Sequence, residues 1–556
     1  MKIIEQLSAR QRRTAVSVFL TVVAVVLAVH SFLFGLKREL HHVVPPSIRA
    51  HGEMMAIAIS DLEYNLNGGY LYYPEIYETL RVHGMSEHDS RFPDNMTDPE
   101  LVNTALKAAA SMDRRRLGRQ RDWRHATPLL IPTDLGLADY YKLAFRLFGY
   151  RVEGFYHLYW VIFAASMAAF LAVHFRSPIP LAVLMLVCAV QFVALGYLIA
   201  GSEPALDRFV PPGEAIEAKL TIGTVHSSRF MGTLGILPMF HLVLSLWRRR
   251  RPGWLHVTAV CVQVAILMFI LPIRGSVRWQ LLFVLIVAAW MALRPLWGRI
   301  GRLRSWISDL PPAVPLWRYW PVGILVAGML VLGRYRAIGI NPVYRIADEL
   351  LTGHHVWHNA YIGLTYHPDW REHFGDFLGS RDGGDMEAWD AGRKYVETRF
   401  GIDGTYLDSD FFGHYKHRTY ERLIRYVYLQ FAKEHPVYFL QAAFLYRPLE
   451  FVRGYFKYFG RALGEVGGTR LVLLVLLLAL AGAAAFGLSG ADTAAWLRTA
   501  AVVLAAVLAS LIQVLVYAPG FGSIVDQFFM VTFVVLCLVA GVLAAGGLSA
   551  VRRLKP

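Results

Sequence analysis

Residues 179–200 read IPLAVLMLVCAVQFVALGYLIA, a run without one acidic or basic side chain. A helix rises about 1.5 Å per residue, so such a run spans the roughly 30 Å hydrocarbon core of a bilayer. Further stretches read the same way at about 14–36, 154–174, 229–247, 255–273, 279–297, 318–335, 470–488, 496–517 and 524–546. The whole chain follows suit. Of its 556 residues 55% are hydrophobic and 17% charged, with a mean hydropathy of +0.40; soluble domains carry about 25% charged residues. Only helices and closed barrels satisfy their backbone groups in lipid. The expected fold is therefore an all-α polytopic membrane protein with about ten transmembrane helices.

The net charge of +15 suggests nucleic acid at first sight, but its distribution excludes that reading. Lys2, Arg10, Arg12 and Arg13 precede the first span, Arg248 to Arg251 follow the fourth, and Arg294, Arg299, Arg302 and Arg304 follow the sixth. Arg552, Arg553 and Lys555 end the chain. This is the Lys/Arg bias of cytoplasmic loops. It puts both termini in the cytoplasm and two large polar loops on the outer face. The chain divides into 1–36 (first span), 37–153 (first outer loop), 154–335 (six-helix block), 336–469 (second outer loop) and 470–556 (three C-terminal spans). In a Gram-negative cell the loops face the periplasm and the spans cross the inner membrane. The first apolar run is too long for a signal peptide and lacks an A-x-A site, so it reads as a retained anchor. Cys188, Cys261 and Cys537 all fall within spans, which leaves the loops without a disulfide framework or a cysteine metal site.

Both loops carry amphipathic patterns. Residues 47–62 have apolar side chains at helical spacing and read as a helix lying at the membrane interface. Residues 134–150 (DLGLADYYKLAFRLFGY) read as a second such helix, after a basic run from Arg114 to Arg124. The second loop is rich in histidine, including His354, His355, His358, His367 and His435, and its last part (415–461) reads as surface helices.

The candidate site residues lie near the outer face. Asp61 and Glu63 are placed to act as a general base toward a hydroxyl group. Asp134 opens a helix, as an N-cap or as a substrate ligand. Arg229, Arg274 and Arg278 sit at short outer turns, where a guanidinium needs a partner and matches phosphate oxygens bidentately. His358, Asn359 and Tyr361 form the densest polar motif, suited to acid–base work or substrate binding. No H-E-x-x-H pattern occurs, so no metal ligands are assigned, and a divalent cation stays only an alternative. Asp526 enters the last span, where a carboxylate needs a partner such as one of these arginines.

The layout resembles the GT-C superfamily of membrane glycosyltransferases. A long first outer loop holds acidic residues between amphipathic helices, and basic residues sit at short outer turns. Phe431 to Leu440, continuing to Arg453, is similar to the family's "NP-x-x-(Y/F)-L" juxtamembrane helix, with Glu434-His435-Pro436 in place of Glu-Asn-Pro. Asp61-Leu62-Glu63 is the nearest counterpart of the family's acidic dyad. The resemblance implies transfer of a sugar from a polyprenyl-phosphate donor to a glycan or lipid acceptor, at the surface of the bilayer lipids. Asp61 would be the base, and the arginines would hold the phosphate. A second resemblance is to the O-antigen ligases and polymerases, carried by His358-Asn359-Ala360-Tyr361-Ile362, Arg229-Phe230-Met231-Gly232 and Arg274-Gly275. It implies transfer of a glycan from a polyprenyl diphosphate around His358. A non-enzymatic carrier or assembly factor is the third reading. It requires polar groups deep in the spans, where Gln191, Gln263 and Gln513 are among the few exceptions to apolar sequence.

Overall fold

The computed structural model describes residues 8–38, 40, 48–66, 69–84, 99–113, 117, 126–128, 135–200, 225–248, 251–297, 316–339, 356–369, 385–409, 414–415, 417–483, 493–516 and 525–553. In chain order, α1 (Ala9–Lys37) leads into the helices of the first loop: α2 (Ile48–Glu63), α3 (Pro74–Gly84), α4 (Pro99–Ala110) and α5 (Gly136–Phe148). Then come α6 (Glu153–His174), α7 (Pro178–Ala200), α8 (Ile236–Leu246), α9 (Trp254–Ile270), α10 (Arg278–Trp297) and α11 (Trp320–Gly339). The second loop supplies α12 (Val356–Ile362), α13 (Asp385–Phe400), α14 (His417–Glu434) and α15 (Arg447–Val466). The chain closes with α16 (Gly468–Ala483), α17 (Thr493–Val516) and α18 (Val525–Arg553). Ser8 starts α1 with a capping box: its Oγ accepts from Gln11 N at 3.3 Å, while Gln11 Oε1 accepts from Ser8 N at 2.8 Å.

Among the described residues, 7 helices are long and apolar enough to cross a membrane: Arg10–Lys37, Glu153–His174, Pro178–Ile199, Arg229–Leu246, Trp317–Gly339, Thr499–Val516 and Val525–Val542. The other three expected spans are shorter. Helix α9 has 17 residues, the apolar part of α10 is Arg278–Leu293, and α16 meets the preceding helical run at a 102° bend. Gly467 (φ 86°) makes that bend, in a backbone region that L side chains rarely enter. Helix α7 is central. It packs on α1 and α15, and a Cβ on Gly196 would stand 2.6 Å from the carbonyl oxygen of Ala462.

The helix interior is more polar than the sequence pattern implies. Ser166 Oγ donates to Gln263 Oε1 at 2.7 Å, and Gln263 Nε2 lies 3.2 Å from His241 Nδ1. The His174 and His241 rings are 5.1 Å apart, and His256 pairs with Ser245 (2.9 Å) and Arg248 (3.1 Å). All three histidines are buried. They escape a sequence reading because each sits alone in an apolar stretch and only packing gathers them.

The first loop folds as a helical cap. Helix α2 is not an interfacial helix: Met54 to Ser60 are all at most 4% exposed. It is packed against α3, α4, α5 and the strand β1 (Leu71–Tyr72), which pairs with β2 (Thr127–Pro128). Its run MMAIAI has no polar face, and a helix apolar all round belongs inside. Helix α5 does follow its amphipathic pattern. It buries Leu137, Ala138, Tyr140, Tyr141, Ala144 and Phe145. Gly136 seats it, donating its N–H to Pro272 O at 3.2 Å. A Cβ there would lie 2.6 Å from both Ile273 N and the Pro272 carbonyl carbon. The turn after α9 therefore carries α5 backbone against backbone.

The second loop forms its own apolar cluster from Tyr361, Leu364, Tyr395, Val396, Tyr420 and Ile424. Arg447 ties it to the spans. The guanidinium is fully buried and donates to Gly363 O (2.7 Å), Ala360 O (3.0 Å) and Val516 O (3.2 Å), and also to Leu515 O.

Replacing Gly136 by Val is expected to cost about 1–3 kcal/mol through overpacking, read as a fall of several degrees in the thermal midpoint of the detergent-purified protein. Gly323→Ala, inside α11 where a Cβ meets nothing within 4 Å, is the control and does not lower the midpoint.

Candidate functional site

One turn of helix separates Asp139 from Lys142 and another separates Lys142 from Arg146, so all three share the polar face of α5. Lys142 Nζ forms an ion pair with Asp61 of α2. The same ammonium lies 3.7 Å from Asp139 Oδ1. Tyr70 OH donates to Asp139 Oδ2 at 2.8 Å. Tyr70 is held at φ 72° and Asn65 at φ 50°. Positive φ in two non-glycine residues is strain that packing must sustain, and such strain concentrates at functional sites.

Burial shifts the protonation of this group. Asp139 holds its proton to higher pH than an ordinary aspartate, first because it is desolvated and then because Asp61 is near; the Tyr70 hydrogen bond and the charges of Lys142 and Arg336 oppose this. For Lys142 desolvation pulls the other way, but the Asp61 hydrogen bond and the charges of Asp61 and Asp139 outweigh it, and its affinity for the proton is raised. The Tyr70 hydroxyl is pushed far up by burial and by Asp139.

Two cavities meet here. The smaller, of 270 Å³, is lined by Asp61, Asp139, Lys142, Tyr70, Arg336 and the apolar side chains of Ile57, Ala58 and Leu66, among others. The larger, of 680 Å³, shares Tyr70, Asp139, Lys142, Tyr335 and Arg336 with the first. It runs on between α9 and α11 along Cys261, Val264, Met268, Phe269, Ile324, Gly328, Val331 and Leu332. The result is an apolar groove between two helices that opens into a polar chamber of two carboxylates and two cations, with Arg146 at the groove mouth.

The other sequence candidates lie apart from this chamber. Glu63 is two residues from Asp61, about 200° around the helix, and accepts a hydrogen bond from Tyr150 instead. Asp61 and Glu63 are thus no dyad; Asp61 and Asp139, joined through Lys142, are the carboxylates brought together. Arg229, Arg274 and Arg278 line neither cavity. Arg278 is exposed. Arg274 lies near Asp526, whose carboxylate accepts from Trp279 Nε1. His358 is 2% exposed. Its Nδ1 lies 2.7 Å from Tyr420 OH, and the N–H groups of Trp357 and His358 donate to Glu421 at 3.1 and 3.2 Å. Tyr361 is buried and Asn359 half-buried on the same short helix, within the second-loop cluster rather than the chamber. Asp134, Arg114 to Arg116, Arg119 to Arg124, His354 and His355 lie outside the described residues. Among the described residues no group of three or more His, Cys, Asp or Glu side chains is placed to hold a metal ion.

Comparison with protein-family models, with curated proteins and with solved structures finds no match. The chamber must therefore be read on its own chemistry. Its missed members were signalled faintly. Asp139 and Lys142 break the polar face of an otherwise apolar helix at i, i+3 spacing, and Arg336 ends a long apolar run. What the sequence lacks is the pairing of α2 with α5, residues distant in the chain.

Each neighbour moves the Asp139 proton in a defined direction. Lys142→Met and Tyr70→Phe are expected to raise its proton affinity further, and Asp61→Asn to lower it. A pH titration of the carboxylic C=O infrared band, assigned with Asp139→Asn, reads all three.

Proposed function

We propose that the protein is a membrane glycosyltransferase that takes a sugar from a lipid-phosphate donor and passes it to a glycan or lipid acceptor at the outer face. The reading includes ten crossings, cytoplasmic termini and a bacterial inner membrane, for which the Lys/Arg bias is the support. One observation carries it above the rest: an apolar groove between α9 and α11 runs into a chamber that holds paired carboxylates beside cations. A lipid tail fits the groove, a phosphate fits Lys142, Arg146 and Arg336, and a base stands within reach of the same space.

In this mechanism an acceptor hydroxyl oxygen attacks the anomeric carbon. The bond from that carbon to the phosphate oxygen breaks, and its electron pair stays on the phosphate. The hydroxyl proton passes to Asp139, whose proton affinity desolvation raises above that of an ordinary aspartate, the direction that strengthens a general base. Asp61 orients Lys142. Lys142 and Arg336 offset the charge that grows on the leaving phosphate. The attack is from the face opposite the phosphate, so the anomeric configuration inverts. These roles replace Arg229, Arg274 and Arg278 as phosphate ligands, and Asp61 as the base.

A carrier is the second reading, favoured by the buried His174, His241 and His256. The test is a mass-spectrometric glycolipid profile of a deletion strain complemented with wild type or variants. The expected result is loss of one sugar, restored by wild type and by His358→Ala. Asp139→Asn is expected to lower transfer by about 10²–10⁴-fold, and Asp61→Asn and Arg336→Ala to impair it. An unchanged profile in the deletion strain moves the assignment to the carrier. Loss of a whole polymer that His358→Ala fails to restore moves it to the ligase.

A further inference from the structure

The groove has a measurable depth. On α11 its lining runs from Ile324 to Arg336, and on α9 from Cys261 to Phe269 and onward to Pro272. Twelve helical residues rise about 18 Å. The polar end of the groove is at Arg336 and the apolar end is where Ile324 and Cys261 line it. Between them Gly328 stands against the facing wall: a Cβ there would lie 2.8 Å from Val264 Cγ1 and 3.1 Å from Met268 Cγ. Gly328 is eight residues from Arg336, about 12 Å along the axis. Any side chain at 328 must enter the groove or part its walls.

We infer that Gly328 sets how much of a lipid chain the protein recognises. A single linear chain carrying a phosphate is the occupant, because the groove is apolar and its mouth carries Lys142, Arg146 and Arg336. With glycine at 328 the chain is held over the full depth, to Ile324. This inference rests on the proposed lipid-phosphate donor and adds to it a recognised length, independent of which sugar is carried or whether transfer occurs. Chain beyond Ile324 leaves the groove and contributes nothing to affinity.

The experiment uses the full chain in phospholipid nanodiscs and measures displacement of a fluorescent alkyl phosphate by hexyl, decyl, tetradecyl and octadecyl phosphate. In the wild type, affinity rises with each step, by up to about fourfold per buried methylene, and levels off between tetradecyl and octadecyl. Gly328→Leu levels off at decyl, with hexyl binding unchanged. Ile324→Trp, which fills the apolar end without touching the helix crossing, loses only the last gain. Three results overturn the inference: no displacement by any alkyl phosphate, as when bilayer phospholipid fills the groove; affinity independent of chain length; or a uniform loss at every length in Gly328→Leu with Ile324→Trp indistinguishable from wild type. An intact length series with no sugar transfer removes the glycosyltransferase reading and leaves the measured groove. Transfer without length dependence does the reverse.

Discussion

A single ammonium, Lys142, holds two carboxylates from different helices beside the membrane-embedded part of the chain. Removing charges even partly from water is costly, and a half-buried cluster such as this one repays that cost only with good geometry and further hydrogen bonds. Here the further bonds exist. Tyr70 donates to the carboxylate that Lys142 reaches less closely, and Arg336 adds positive charge from α11. Two negative and two positive groups then share one chamber. The rest of the loop cap serves this balance: α2 is buried from Met54 to Ser60, α5 is seated backbone to backbone on the turn after α9, and Tyr70 is held at φ 72°.

The two large loops are built on different principles. The first closes over its own apolar helices and leaves a polar chamber against α11. The second makes a separate small core and is pinned by Arg447, whose guanidinium donates to four main-chain carbonyls. Four carbonyl dipoles, with the Tyr428 hydroxyl beside them, hold this charge, so its geometry depends on several groups at once. His358 belongs to this pinned unit, paired with Tyr420 and sheltered from the chamber. The dense HN motif that draws the eye in sequence is thereby a packed element of the second loop.

Much of the fold is legible in the chain because lipid imposes a strong rule: backbone groups must be satisfied within a segment, and apolar length shows it. Helices form at every apolar stretch named, and α5 obeys its amphipathic pattern. Helix α2 does not, because an apolar run surrounded by protein and one lying on lipid have the same composition. The site is harder to read. Asp61 is visible as a carboxylate near the membrane face, yet its partner Lys142 lies 81 positions away in the sequence. Asp139 carries no motif, and the arginines at short turns look like phosphate ligands because their distance from the chamber is invisible until the helices are packed. The histidines of α6, α8 and α9 are scattered for the same reason.

The shortness of α9 has a consequence for the bilayer itself. Its 17 residues rise about 25 Å, less than the roughly 30 Å of an average hydrocarbon core. Under the proposed ten-crossing topology, a span this short is accommodated by thinning of the bilayer beside it or by snorkelling of its flanking residues. Thinning there would draw the headgroup layer inward along this wall of the groove, where the cationic end opens. A lipid of the proposed kind, entering sideways, would then travel a shorter vertical distance with its charged end still hydrated. On that reading membrane thickness sets the height of the groove's cationic end relative to the lipids around it.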